Sequence, residues 1–278
     1  MPSSEPSHYS QLEVPIFGGE WTSVVAQRGA RRIELNATKS YAVGGTTPTI
    51  KELEFLNLQL KAHPQIVQRV MIRPRGPPTQ NTEGLDPDPD FLYSKDEFAE
   101  MHQSIVTFKQ SGLLNPEKGD GFVFGLLKKG HSGDSGVHID VERNAALVTL
   151  AKPFRCVLHR AFDELIDQGA ESSWKTELET VKSLGFDGIL TSGGRGNAYD
   201  NAERLGQIIA SAGGQIEIIV GGGVRSGNVR EISTRMEVAD STVWFHSSCL
   251  RNGGGIMSFD QNEEAQLYRE LEALGARN

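Results

Sequence analysis

The chain has 278 residues, of which 28 are Lys or Arg and 36 are Asp or Glu, so its formal net charge is −8. An acidic chain without a run of basic residues is poorly suited to bind nucleic acid or an anionic membrane surface, and we exclude both functions. The hydrophobic share of 37% and the charged share of 23% are typical of a folded globular protein.

No stretch approaches the roughly 18 apolar residues that a membrane-spanning helix needs. The first ten residues form a polar tail, residues 1–10, which lacks the apolar segment of a secretory signal peptide. The two cysteines, Cys156 and Cys249, are too few for a disulfide framework. These features predict a reduced, cytoplasmic protein.

Eight short apolar segments recur along the chain, and each precedes a glycine or polar cluster and then residues with helical periodicity. The starts of successive segments are about 20 to about 54 residues apart, which leaves room for a helix between strands and so favours parallel pairing. The predicted strands are Leu12–Phe17, Arg32–Asn36, Val67–Pro74, Gly121–Leu127, Phe154–Arg160, Gly188–Ser192, Ile216–Gly221 and Thr242–Ser247.

Helix start and stop signals fill the intervals between these strands. Thr47-Pro48 opens one helix, because proline suits the first helical position, and Ser94–Glu97 is a capping box whose helix stops near Gly112. Asp140 caps a helix to about Ala151. Further helices are predicted at Ser172–Leu184, at Ala198–Ala212 and from Asp260–Glu263 to just before Gly275.

Eight strand–helix units without a break in composition predict an α/β fold, a single-domain (β/α)8 barrel of the TIM type over residues 11–278. An open doubly wound sheet is the alternative, but Phe17–Glu20 does not fit the glycine-rich dinucleotide motif that usually follows its first strand. Residues 76–90, rich in Pro, Asp and Asn, are predicted to form an inserted loop after the third strand.

Charged side chains alternate with aliphatic ones in the first three predicted strands. Because the outer face of barrel strands packs under helices, Glu13, Glu34, Arg73 and Arg75 should lie inside the barrel or at its rim. We predict catalytic or ligand-binding roles for all four, with Arg75 as a clamp for carboxylate or phosphate. The alternative is a buried network of ion pairs that fills the barrel.

Two histidines, His159 and His246, lie at the ends of predicted strands. Histidine is the side chain best suited to proton transfer or metal binding near neutral pH, although a hydrogen-bonded structural role is the alternative. Asp163, a further candidate catalytic residue, either orients His159 or pairs with Arg160.

Three consecutive loops, after the sixth, seventh and eighth strands, are typical of anion binding. Glycine lets backbone N–H groups approach a ligand closely, and barrels commonly hold phosphate after strands seven and eight. Tight turns that need glycine for their conformation alone are the alternative. The predicted anion-binding residues are Arg160, Ser192, Gly193, Gly222, Gly223, Ser247 and Ser248.

The same segments resemble the CutC copper-homeostasis family over roughly Leu12 to Cys249. The resemblance implies a (β/α)8 barrel, a cytoplasmic location, homo-oligomers and a role in copper handling, with copper as the bound ion. It is carried by Arg32–Leu35, Gly44–Pro48, Met71–Gly76, Phe91–Ser94, Val123–Gly125, His159–Asp163, Leu190–Gly193 and His246–Ser248.

The chain departs from the family where copper matters most. Members often carry a cysteine after the first and second strands, and the corresponding residues here are Pro15 and Asn36, which offer no thiolate to Cu(I). The predicted metal ligands are therefore His246 and Cys249. A nitrogen and oxygen set would suit Zn(II), Mn(II) or Cu(II) better than Cu(I); its members are His159, His246 and Glu34.

Two functions stay open from the sequence. One is copper binding or copper homeostasis. The other is an enzyme that acts on a small anionic metabolite, a phosphate or a carboxylate, with no reaction assigned. In that enzyme Arg73 and Arg75 bind the anion, His159 transfers a proton, and the carboxylates Glu13 and Glu34 serve as base or metal ligands.

Overall fold

The computed structural model describes residues 11–19, 21–28, 30–78, 90–130, 136–166, 172–237, 243–253 and 256–275. Within these ranges eight parallel strands form a closed barrel in which each strand pairs with its neighbours in chain order and the eighth pairs with the first. The first to eighth barrel strands are Leu12–Phe17, Arg32–Asn36, Val67–Met71, Gly121–Phe124, Arg155–Leu158, Gly188–Thr191, Glu217–Val220 and Val243–His246.

Helices cover the outside of the barrel and follow the strands along the chain. They span Thr22–Arg28, Ile50–Gln59, Lys95–Gln110, Val141–Ala151, Ala161–Ile166, Ser172–Ser183, Ala202–Ala212, Val229–Met236 and Gln261–Gly275, with short 3-10 turns at Tyr41–Val43 and Leu60–Ala62. None of the described helices combines the length and the apolar character that crossing a bilayer would require.

The predicted barrel is confirmed, and all eight predicted strands are present. The prediction missed two antiparallel hairpins, Leu127–Lys129 with Val137–Ile139 and Leu250–Gly253 with Ile256–Phe259. The first hairpin was missed because its opening residue, Leu127, continues the apolar run of the fourth strand. The fourth strand in fact ends at Phe124, and the hairpin begins at Leu127. The predicted tail, residues 1–10, and most of the predicted loop at 76–90 lie outside the described residues, so those boundaries stay predictions.

The N-cap residues explain why one predicted helix start is confirmed and another lies at a different residue. Ser94 accepts a 3.2 Å bond from the Glu97 N–H, and the Glu97 carboxylate accepts a 2.6 Å bond from the Ser94 N–H, which is the predicted capping box. The helix predicted at Thr47-Pro48 begins later, after an N-cap at Thr49. Thr47 instead binds the chain after the third strand, since its hydroxyl accepts a 2.8 Å bond from the Arg73 N–H.

Two apolar layers hold the barrel together. The larger one lies between strands and helices. The smaller one, made of strand residues alone, fills the inside of the barrel, so the lumen is a packed core rather than a pore. The inner layer consists of Met71, Val123, Val157, Leu190 and Ile219, with Trp244 packed against it.

Glu264 is a buried acid in the last helix, and neither of its carboxylate oxygens has a described partner. Burial raises its pKa from 4.5 to about 7, against a smaller opposite effect of Arg28. The unfolded chain therefore loses this proton at lower pH than the folded protein, and the group costs stability progressively as pH rises from 4.5 to about 7.

Glu264→Gln should therefore raise the melting temperature at about pH 8 and leave it nearly unchanged at about pH 4.5. Thermal unfolding followed by circular dichroism across this range measures the effect. Glu272→Gln, an exposed position on the same helix, is the matched control and should show no such trend. An equal shift for Glu264→Gln at both pH values would contradict this account.

Candidate functional site

A cavity of about 570 Å³ opens at the carboxyl ends of the barrel strands, and we call it the central cavity. Most of the predicted site residues line it, which are Glu34, Arg73, His159, Arg160, Asp163, Gly222, Gly223, His246, Ser247 and Ser248. The predicted residues that do not line it are Glu13, Arg75, Ser192, Gly193 and Cys249. The barrel therefore gathers residues from distant parts of the chain around one cavity.

Three predicted residues converge at the floor of the central cavity, where Glu34 and His246 line it and Glu13 lies behind them. One carboxylate oxygen each from Glu13 and Glu34 and one ring nitrogen of His246 all lie within 4.8 Å of one another. Strand register produces this arrangement. Glu13 in the first strand lies opposite His246 in the eighth strand, and Pro15, two residues after Glu13, lies opposite Glu34 in the second strand. We call these three residues the floor triad.

Hydrogen bonds fix the geometry of the floor triad. The His246 Nδ1 lies 2.6 Å from the Glu13 Oε1, and the Asn36 amide donates a 3.0 Å bond to the Glu34 Oε1. The Glu34 Oε2 is buried without a described partner. An unpaired buried carboxylate oxygen is costly, so this atom is open to an incoming ligand.

The pKa values of the two carboxylates of the floor triad are shifted in opposite directions. Burial alone would raise the pKa of Glu13, but Arg32 and the bond from His246 outweigh it and lower this pKa to about 2. Burial raises the pKa of Glu34, and the nearby charge of His246 offsets this only in part. The pKa of His246 is raised despite burial, because Glu13 and Glu34 favour the imidazolium form.

An ion-pair network lies beneath the floor triad, but its basic member is Arg32 and not Arg73 or Arg75, as the alternative interpretation of the sequence had it. The Arg32 Nε donates to the Glu13 carboxylate, its Nη1 donates a 2.7 Å bond to Glu217, and its guanidinium lies 3.8 Å from the Trp244 ring centre. Glu13 is therefore anchored from below, whereas Glu34 forms no described ion pair.

Arg73 and Arg75 pair with other acids than those of the floor triad. Arg73 donates to the Val43 and Gly45 carbonyls at 2.6 and 2.7 Å and to Asp90 at 2.6 Å. Its Nε has no described partner, and Arg73 lines the cavity.

The expectation that Arg75 faces the ligand is corrected by the structure, because Arg75 does not line the cavity. Its Nε donates a 2.5 Å bond to Glu97, and its Nη2 donates a 2.7 Å bond to the Leu92 carbonyl. The acid of the Ser94 capping box thus turns Arg75 away, which leaves Arg73 as the arginine of this pair at the cavity.

His159 is buried beside Phe91, with ring centres 4.5 Å apart. Its Nδ1 accepts a 3.3 Å bond from the Ala161 N–H, while its Nε2 has no described partner. Burial lowers the pKa of His159 well below its ordinary value, and the charge of Arg73 adds to this. The ring is therefore neutral at pH 7 and carries its proton on Nε2, as a donor.

Asp163 pairs with Arg160 at 2.8 Å, which settles the choice left open by the sequence. It also fills the loop after the sixth strand. Its carboxylate accepts bonds from the Thr191 hydroxyl at 2.5 Å, the Ser192 N–H at 3.0 Å and the Gly194 N–H at 3.4 Å. The loop does bind an anion, but the anion belongs to the protein.

The predicted anion-binding roles of Ser192 and Gly193 are therefore corrected. The Ser192 hydroxyl lies within hydrogen-bond distance of the Asp163 carboxylate and the Gly194 carbonyl, and the Gly193 N–H donates a 2.9 Å bond to the Thr191 hydroxyl. Neither residue lines the cavity. These donors are occupied, so an external anion finds none of them free.

The loops after the seventh and eighth strands do reach the central cavity through Gly222, Gly223, Ser247 and Ser248. Sequence reasoning missed two arginines that also line it, Arg195 and Arg225. Arg195 directly follows Gly193-Gly194, and Arg225 lies two residues after the three glycines Gly221–Gly223, so a basic residue close to a glycine cluster was the available signal.

Cys249 does not join the predicted metal site. It is fully buried in the main apolar core, and its Sγ lies 3.7 Å from the Ser247 carbonyl oxygen. Its backbone has a φ of +50°, a left-handed conformation that turns the chain after the eighth strand. Burial raises the pKa of the Cys249 thiol to about 12, so the thiolate that metals prefer is disfavoured.

These features define a (β/α)8 barrel with a candidate metal-binding triad at the floor of a ligand-sized cavity. The family model described as "CutC family" matches residues 10–248, and the chain belongs to the CutC family. A copper homeostasis protein cutC homolog of Mus musculus is 35% identical over 255 residues, covering 91% of this chain and 79% of the mouse protein.

Two further similar proteins also carry the name CutC. A family protein CutC of Vibrio vulnificus strain YJ016 is 37% identical over 225 residues, covering 80% of this chain and 76% of that protein. The crystal structure of CutC from Streptococcus agalactiae superposes with a TM-score of 0.66 at 26% identity. It covers 85% of this chain and 98% of that one.

Asp163→Asn should destabilise the fold, because the amide nitrogen would face N–H donors that now meet a carboxylate. Leaving buried N–H donors of this loop without their acceptor costs about 2 kcal/mol in the free energy of unfolding. Urea denaturation measures it. The matched control is Glu179→Gln, since Glu179 pairs with Lys182 on the surface and should cost little. Equal effects of the two variants would contradict the role assigned to Asp163.

Proposed function

We propose that this chain functions in copper homeostasis and that the floor triad, Glu13, Glu34 and His246, is the site at which it binds the metal ion. The proposal depends on one observation, the approach of three ligand atoms to within 4.8 Å of one another. The names of the mouse and streptococcal relatives support the copper role.

The donor set indicates which oxidation state of copper the site prefers. Two carboxylate oxygens and one imidazole nitrogen suit Cu(II) or another divalent ion, whereas Cu(I) prefers thiolate and thioether ligands. Pro15 and Asn36, where the family resemblance implies cysteines, both lie next to Glu34: Pro15 by strand register and Asn36 by its hydrogen bond. We infer that a metal site stays at this place in the barrel while its ligands change.

The floor triad is organised before any ion arrives. Arg32 and His246 fix the Glu13 carboxylate, Asn36 fixes Glu34, and the Glu34 Oε2 is left without a described partner. His246 lines the cavity, and its side chain is 14% exposed, which gives an ion a path from solvent. Arg32 acts on the metal site indirectly, by orienting Glu13, as residues behind metal ligands commonly do.

A cytoplasmic location and assembly into homo-oligomers belong to the same proposal. The first is supported by the buried, unpaired thiols of Cys156 and Cys249, which are typical of a reducing compartment. The second rests on the family resemblance alone.

A second candidate function, an enzyme acting on a small anionic metabolite, is favoured by the volume of the cavity and by two of its donors. The Arg73 Nε and the His159 Nε2 belong to residues that line the cavity, and neither has a described acceptor. A ligand oxygen would satisfy them. His159 would act there as a hydrogen-bond donor, because its low pKa leaves little imidazolium at pH 7.

Titration calorimetry with Cu(II) tests the metal site. Glu34→Gln removes one oxygen ligand while keeping the shape of the side chain, and it should weaken Cu(II) binding by about ten-fold or more. Cys249→Ser should leave Cu(II) binding unchanged, since the thiol points into the core. Glu97→Gln, which removes an acid outside the cavity, is the matched control.

Two results would overturn the metal site. One is Cu(II) binding by Glu34→Gln with wild-type affinity. The other is loss of Cu(II) binding in Cys249→Ser while circular dichroism shows an intact fold. That result would identify the Cys249 thiol as a copper ligand. A parallel competition with a Cu(I) chelator should show weaker retention of Cu(I) than of Cu(II) by the wild-type protein.

A further inference from the structure

We infer that the central cavity also binds a small phosphate monoester with an apolar organic body, whose phosphoryl group contacts the loops after the seventh and eighth strands. This ligand site lies beside the floor triad but uses different residues, Arg225, Gly222, Gly223 and Ser248, so it does not depend on a bound metal ion.

Arg225 supplies the charge for this site. Its Nη1 and Nη2 donate 3.1 Å bonds to the Ser247 hydroxyl and the Leu250 carbonyl, which hold the guanidinium in place. Within the described part of the chain no carboxylate forms an ion pair with it. A held, uncompensated guanidinium on a cavity wall is suited to phosphate, since arginine presents several N–H donors in a fixed plane.

Backbone donors lie beside this charge. Among the described residues no acceptor meets the N–H groups of Gly222, Gly223 or Ser248, and all three residues line the cavity. Gly222 has to be glycine for packing, because a Cβ there would lie 2.8 Å from the Ser192 Cβ. The inference therefore depends on the unpaired N–H groups and not on the presence of glycine.

The neighbouring loop shows what such donors bind in this protein. After the sixth strand, the Ser192 and Gly194 N–H groups are satisfied by the Asp163 carboxylate. After the seventh strand, no described carboxylate of the protein takes that place. Backbone donors from two loops and one guanidinium line the same cavity, and their number suits the three terminal oxygens of a phosphate monoester better than the two of a carboxylate.

Two of the acids that line the cavity are engaged by other arginines. Asp163 is paired with Arg160 at 2.8 Å, and Asp90 with Arg73 at 2.6 Å. None of the described ion pairs involves Arg225, which lines the cavity on the side of the seventh and eighth strands. A negative group is expected to bind there.

Apolar side chains on one wall of the cavity are the reason why we expect the phosphate ligand to carry an apolar organic group. Phe17, Tyr41, Val43 and Pro77 line the same cavity, and Tyr41 and Val43 keep 38% and 41% of their surface exposed. Phe17 and Tyr41 pack edge to face, with ring centres 5.1 Å apart. A cavity of about 570 Å³ is far larger than inorganic phosphate needs and is within the range of small-molecule sites.

Titration calorimetry of the full chain in a metal chelator tests this inference, with phenyl phosphate, inorganic phosphate and phenylacetate as probes. Phenyl phosphate should bind about ten-fold or more tightly than either of the other two. Arg225→Gln should weaken phenyl phosphate about ten-fold, and Arg225→Lys should recover part of the loss. Arg230→Gln, which removes an arginine paired with Glu270 outside the cavity, is the matched control.

A second variant probes the apolar wall independently of Arg225 and its contacts. Tyr41→Ala should remove most of the advantage of phenyl phosphate over inorganic phosphate and leave inorganic phosphate unchanged. Absence of phenyl phosphate binding to the wild-type protein would overturn the inference, as would equal affinity for the three probes or wild-type affinity in Arg225→Gln.

The metal proposal and this one fail separately. Glu34→Gln should bind phenyl phosphate as the wild-type protein does, while it loses Cu(II). If Glu34→Gln lost phenyl phosphate as well, with Arg225→Gln unaffected, the phosphate would bind at the floor triad and the assignment to Arg225 would be wrong.

Discussion

The buried carboxylate of Glu13 is the interaction on which the rest of the site depends. It is held from one side by Arg32 and from the other by His246, across the seam where the first and eighth strands close the barrel. Taking such a charge out of water is expensive unless it is paired, so closure of the barrel and pairing of Glu13 must occur together. That pairing places the His246 ring beside Glu34.

The polar groups around the cavity fall into two sets, those that are satisfied within the protein and those that are not. Asp163 and Asp90 are satisfied by arginines and backbone donors of the protein, so they shape the walls. The Glu34 Oε2, the His159 Nε2 and Arg225 are held in place without a counterpart in the described chain. Preorganised groups that lack partners are where a ligand gains most on binding, because the cost of ordering them is already met.

Much of the fold could be predicted from the sequence, because buried parallel strands show as apolar runs and strand ends in a barrel share one face. Glu13, Glu34 and His246 were found for that reason. Long-range partners could not be predicted. Nothing in the sequence indicates that Arg75 pairs with Glu97 outside the cavity, or that Asp163 accepts the hydrogen bonds of the loop at Ser192–Gly194. Cys249 itself has a left-handed backbone conformation after the eighth strand. The sequence does not indicate such a conformation, because the residue is not glycine.

Anomalous diffraction at the copper edge from crystals of the protein soaked with Cu(II) tests the central claim most directly. We expect a single strong peak between the Glu13 and Glu34 carboxylates and the His246 ring, with the bond from Arg32 to Glu13 kept. A peak at Cys249 or elsewhere, with the floor triad empty, would contradict the account.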